Sequence, residues 1–125
     1  MSKIIIKSDK AAPPIGPYSQ AVKTGNMLFL SGQVALDADG NLHIGNIQEE
    51  AHQVMKNIAI LLKEAGAGFE HIVKTSIFLS DMALFAEVNE VYGSYFLGNY
   101  PARETIAVKG LPKNVNVEIS VTAFI

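Results

Sequence analysis

The plainest pattern lies at the end of the chain. Val115, Val117, Ile119, Val121, Ala123 and Ile125 alternate with Asn116, Glu118, Ser120, Thr122 and Phe124. Successive side chains of a strand point to opposite faces, so this predicts a strand with one apolar and one mixed face. A different period governs residues 47–65. Ile47, Ala51, Val54, Met55, Ile58, Leu61, Leu62 and Ala65 recur at helical spacing and line one side of a helix. Asn46 is placed to cap its start, with Glu49 completing a capping box, and Gly66 to end it.

The other elements follow from shorter signals. Lys3–Lys7, Tyr18–Lys23 and Met27–Ser31 read as strands; the rigid Ala11–Pro17 loop and the Thr24-Gly25-Asn26 turn separate them. The β-branched and aromatic run Ile72–Leu79 reads as a fourth strand. Asp81 is placed to cap a second helix running to about Leu97, with Phe85, Val88, Tyr92 and Phe96 as its buried stripe. Asn89 falls in that stripe and puts an amide among apolar neighbours, where it needs a partner. A hydrogen bond to a loop or a contact with a ligand would supply one. Pro101 precedes a strand in which Ala102, Glu104, Ile106 and Val108 share one face and Arg103, Thr105 and Ala107 the other.

The order is β-β-β-α-β-α-β-β, an α+β pattern with a mixed six-stranded sheet and two helices packed on one face. Two helices leave the other face open. The mixed side of the last strand, together with Thr105 and Ala107, is poor in charge for a surface meant for water. Packing of several copies around a shared centre suits it.

Composition narrows the chemistry. A chain of 125 residues with 49% hydrophobic content suits one folded domain spanning 1–125. The net charge of −2 and the lack of a basic run speak against nucleic acid as a partner. The absence of Cys excludes disulfides, thiolate metal sites and a Cys nucleophile. No apolar run is long enough to span a bilayer, and the N-terminus is too short and charged for a signal peptide, so a cytoplasmic protein is expected. Asp37-Ala38-Asp39-Gly40-Asn41 fails as a calcium loop, because its Gly comes early and its twelfth position is Gln48. His43, His52 and His71 lack metal-ligand spacing.

Two charged residues carry more. Arg103, just inside its strand and two residues from Thr105, is suited to grip a planar anion through two parallel hydrogen bonds. A solvated surface Arg fits the same pattern. Glu118 stands on the mixed face of the last strand. If copies cover that face, its carboxylate either pairs with an Arg or holds a water for attack.

Gly16-Pro17-Tyr18-Ser19-Gln20-Ala21, Ser31-Gly32-Gln33, Asn57, Phe85-Ala86-Glu87-Val88-Asn89-Glu90-Val91-Tyr92, Pro101-Ala102-Arg103 and Val117-Glu118-Ile119 together resemble the RidA (YjgF/YER057c/UK114) family in order and spacing. The resemblance covers nearly the whole chain. It implies a chorismate-mutase-like fold and a homotrimer with a central barrel and clefts between subunits. It implies hydrolysis of 2-imino acids and their enamine tautomers to 2-keto acids and ammonia, without metal or organic cofactor. By the same resemblance, Arg103 clamps the substrate carboxylate and the Thr105 backbone N–H assists. Glu118 and the Gly32 backbone position water, Tyr18 and Ser31 shape the pocket, and Asn89 supports the ligand. Thr105 stands where a Cys is common in the family. Two alternatives remain at this level: a non-catalytic sensor of small carboxylates, and a ribonuclease or translation inhibitor.

Overall fold

The alternating and helical patterns translate directly into elements in the computed structural model, which describes residues 2–125. The strands are β1 (Ile4–Ile6), β2 (Ala21–Thr24), β3 (Met27–Leu30), β4 (Ile72–Leu79), β5 (Ala102–Ala107) and β6 (Val117–Phe124); the helices are α1 (Ile47–Glu64) and α2 (Phe85–Gly93). They form a six-stranded sheet in the order β1-β2-β3-β6-β4-β5. All pairings are antiparallel except β4–β5, so the sheet is mixed and its two edges are β1 and β5.

The core forms between α1, α2 and one face of this sheet. Val117, Ile119, Val121 and Ala123 of β6 are buried there, with Ala51, Val54, Met55, Ile58, Leu61 and Leu62 of α1 above them. Each large apolar side chain so buried contributes about 1.5–3 kcal/mol, which is why the apolar period fixes these elements. Asn46 caps α1 by accepting from the Gln48 and Glu49 N–H groups. Gly66 follows the helix with φ +78, the left-handed conformation expected of a terminating glycine.

Several boundaries differ from expectation. Tyr18, Ser19 and Gln20 precede the second strand rather than belonging to it. The Gln20 side chain instead pins the proline-rich loop, accepting from Ser8 N–H and donating to the Ser8 and Ala12 carbonyls. The second helix does not reach Leu97. Asp81 caps a short 3-10 turn, Met82–Leu84, before α2, and α2 stops at Gly93. Beyond it the chain tightens through Tyr95 N–H to Tyr92 O and Phe96 N–H to Gly93 O, and Gly98 and Asn99 then adopt positive φ.

The largest correction concerns β5. Register places Arg103, Thr105 and Ala107 beside Thr75, Ile77 and Leu79, which in turn lie beside Val121, Ile119 and Val117. Residues in register share a face, so Arg103 and Thr105 belong to the helix-covered side. Glu118 pairs with Phe78, whose other neighbour is Ile106. It lies on the open side. The cause is the edge position of β5: on its helix side Arg103 and Thr105 are only half-buried and Ala107 is exposed, so no apolar alternation marks that side, while the apolar Ile106 falls on the open face. The open face also presents Ile5, Phe29 and Phe124, each substantially exposed.

Candidate active site

The residues singled out in the sequence fall into two groups on opposite faces. The first surrounds Arg103. Strand β5 carries it alongside the middle of α2, where Asn89 Oδ1 accepts from Arg103 Nη1 at 2.7 Å. The guanidinium carbon lies 5.1 Å from the centre of the Tyr92 ring and 5.8 Å from that of Phe85. Both rings offer their electron-rich faces to the cation. This held guanidinium opens into a cleft of about 460 Å³ lined by Asn89, Tyr92, Gly93, Tyr100, Pro101 and Arg103. Asn89 is exposed rather than buried in an apolar stripe. One turn of α2 sets it on the helix's rim, and its partner is a charge, not a loop. Thr105 follows on the same face, and its Oγ1 is buried with no hydrogen-bond partner.

The second group surrounds Glu118. Gln33 and Ile119 exchange backbone hydrogen bonds at 2.8 and 3.0 Å, which lays Gly32 against the Glu118 side chain. A Cβ on Gly32 would overlap the Glu118 carboxylate, so only glycine allows this approach. Tyr18, Gly32, Gln33 and Glu118 line one pocket, with Pro112 and Lys113 at its border. Tyr18 is half exposed, and its hydroxyl accepts weakly from Ile15 N–H at 3.4 Å. Ser31 turns its hydroxyl to the Ser19 carbonyl at 2.5 Å, so it staples the loop that carries Tyr18. Burial raises the Glu118 pKa above its ordinary value, because removing water penalises the charged form.

Buried polar residues behind the second group fix its backbone. Asn57 of α1 donates to the Val34 and Leu36 carbonyls at 3.0 and 2.9 Å and holds the segment that follows Gly32. Glu50, fully buried, accepts from the Asn116 and Val117 N–H groups and from Asn116 Nδ2. It anchors the root of β6 just before Glu118. Glu50 is not among the residues that the sequence motifs mark. Its signal was there: Glu50 lies four residues before Val54 on the helix face that is otherwise apolar.

Among the described residues, no three His, Cys, Asp or Glu side chains gather as metal ligands do. The histidines have other partners: His43 binds Asp37, His52 binds Tyr95, and His71 Nδ1 accepts from Gly68 N–H. Among the described residues no helix is long and apolar enough to cross a membrane.

A family model described as Endoribonuclease L-PSP matches residues 9–125. The mouse protein named 2-iminobutanoate/2-iminopropanoate deaminase is 46% identical over 127 residues, covering 98% of this chain and 94% of its own length. A solved structure of a Rid-family protein of unknown function from Yersinia pestis has a TM-score of 0.96 at 40% identity, covering 99% of this chain and 100% of that one. E. coli TdcF, solved with bound serine, has a TM-score of 0.93 at 34% identity and 98% coverage of each chain. Fold, near-complete coverage and the order of the site motifs agree: the chain belongs to the endoribonuclease L-PSP family, the RidA group that its sequence resembles.

Proposed function

We propose that this chain hydrolyses 2-imino acids and their enamine tautomers, 2-aminoacrylate and 2-iminobutanoate among them, to 2-keto acids and ammonia. The observation that carries the reading is Arg103. Its guanidinium is held from one side by Asn89 and from below by Tyr92, at the mouth of a cleft. A planar carboxylate is the group such a fork binds best. The deaminase name of the mouse relative and the serine held by TdcF point to the same class of small acid.

The second support is the division of the site. Arg103, Asn89 and Thr105 lie on one face of the sheet and Glu118, Gly32, Tyr18 and Ser31 belong with the other. One chain cannot bring both groups onto a small substrate; two neighbouring copies can. The apolar open face, with Ile5, Phe29 and Phe124 exposed, supplies a surface for that assembly. We read it as a cytoplasmic homotrimer of chorismate-mutase-like protomers, residues 1–125 forming one unit, with the sheets around a central barrel and a site at each seam.

At such a seam Arg103 of one copy and the Thr105 backbone N–H hold the carboxylate. Glu118 and the Gly32 backbone of the next copy position a water over C2. The protonated imine carbon is electrophilic, so the water oxygen bonds to C2 while Glu118 takes its proton. The carbinolamine then collapses: Glu118 returns its proton to the amine, the C2–N bond breaks, ammonia leaves, and the hydroxyl releases its proton to solvent as the carbonyl forms. An enamine first takes a proton at C3. Orientation supplies much of the rate, and the raised pKa of Glu118 makes it a better base than an ordinary carboxylate. The chemistry asks for no cofactor. The net charge of −2 supports a small acid over RNA as substrate.

The test is a coupled assay in which a dehydratase makes 2-aminoacrylate from serine and semicarbazide traps the imine. The wild-type protein suppresses the trapped product. Arg103→Ala loses at least ~3 kcal/mol of transition-state binding, and Glu118→Gln is equally inactive. Co-expressed, the two dead variants recover about a quarter of the sites, because each seam draws one residue from each copy at random. An Arg103→Ala protein of near-normal rate rejects the assignment; no recovery in the mixture rejects the shared site. Glu118→Gln also separates the carboxylate sensor, which would bind its ligand as before, without turnover to lose.

A further inference from the structure

Tyr92 is only 4% exposed, yet it carries a hydroxyl into the core. That hydroxyl donates to Thr75 Oγ1 at 2.9 Å, and Thr75 is wholly buried. Thr75 stands directly beside Arg103 in the β4–β5 register. The same Tyr92 ring lies against the Arg103 guanidinium. One side chain of α2 therefore touches both the charge and the strand next to it.

We propose that Tyr92 and Thr75 form a latch that positions Arg103 for its carboxylate, an inference that rests on the reading of Arg103 given above. Core packing alone does not call for the hydroxyl. A phenylalanine would fill the same volume without carrying a polar group away from water, which is costly unless that group is paired. What the hydroxyl adds is direction. It pins the far end of the ring to β4, so the ring cannot slide under the guanidinium. Asn89 fixes Nη1 from the side, and the remaining N–H groups of the fork stay free for a ligand. An Arg side chain has about 2 kcal/mol of rotamer entropy to lose on binding, and a pre-set guanidinium loses less of it when the substrate arrives. Tyr92 is thus a positioning residue: its hydroxyl acts through the clamp that its ring touches.

The test compares Tyr92→Phe, Thr75→Val and the double variant in the full-length protein. Melting temperature, KM, kcat and the dissociation constant for 2-oxobutanoate, a product of the proposed reaction, are measured for each. Tyr92→Phe weakens 2-oxobutanoate binding and raises KM about five- to tenfold, the worth of one ordinary hydrogen bond, while kcat stays within about twofold. The double variant leaves no hydroxyl buried and unpaired, so its melting temperature returns toward wild type. Its binding stays weak, because the latch is absent. A double variant that regains binding along with stability, or single variants that bind like wild type, reduces the pair to a core hydrogen bond. A wild-type protein that fails to bind 2-oxobutanoate, or an Arg103→Ala variant that binds it equally well, overturns the Arg103 reading itself and the latch with it.

Discussion

Replacing Gly32 with alanine puts one methyl group where the Glu118 side chain now lies. The added Cβ would sit 2.8 Å from Glu118 Cδ and 3.1 Å from Cγ, against 3.4–4 Å for an ordinary contact. Gly32 is not held at positive φ, so alanine can adopt its backbone. The methyl also lowers the entropy of the unfolded chain, worth about 0.4–1 kcal/mol in favour of folding. The carboxylate is the far end of a flexible side chain and can swing away at little cost. Folding should therefore be nearly unaffected, and the loss should fall on the reaction. Clearing the overlap moves the carboxylate by roughly 1 Å, and a displacement of that size can cost about a hundredfold in rate, or about 2.7 kcal/mol. The assay is kcat/KM for deamination alongside thermal unfolding. A cycle with Glu118→Ala isolates the cause: with the carboxylate gone, the extra methyl should cost no further activity. Wild-type kcat/KM in Gly32→Ala would refute the argument, as would an equal added loss in the Glu118→Ala background.

Two further outcomes follow from single groups. Burial raises Glu118 above its ordinary pKa of 4.5, so between the two values the folded chain binds more proton than the unfolded one. Stability contributed by this group falls as pH rises through that window and stays lower above it. Glu118→Gln should melt higher than wild type at neutral pH and no higher below the window, while wild-type deamination falls as pH drops through the raised pKa; unfolding curves and pH–rate profiles check both. Thr105→Val removes the buried hydroxyl that finds no partner and keeps the β-branched shape that suits a strand. It should stabilise by about 1 kcal/mol and keep activity, since the backbone N–H remains; a melting point below wild type would show that the hydroxyl is bonded in the assembled protein.

What could be read from the sequence was whatever burial had written as a period. The alternation of β6 and the helical stripe of α1 are strong because each missing apolar group would expose core. Arg103 and Glu118 were recognisable as chemistry, yet their faces were not. In β5 the inner residues are Arg103, Thr105 and Ala107, and the open side holds Ile106, so polarity gives the wrong answer at a strand the helices hardly cover. Asn89 looked buried because its helical register matched Phe85 and Tyr92; the side of α2 that is buried is Val88, Val91 and Tyr92, and Phe85 and Asn89 stand exposed beside it. The division of the site into halves depends on long-range register, which no local pattern carries. Glu50 escaped because a carboxylate in the first helical turn usually signals a favourable dipole contact with solvent, whereas this one is consumed by the backbone of β6.

The sheet ends in two bare borders, an isoleucine-only strand at β1 and the poorly covered β5. Each offers unpaired backbone groups to any extended segment that meets it. A newly made single chain is therefore open to unwanted strand pairing at both borders. If the proposed trimer forms, refolding yield should pass through an optimum with protein concentration: too dilute and the apolar face waits uncovered, too crowded and strand addition outruns closure of the ring.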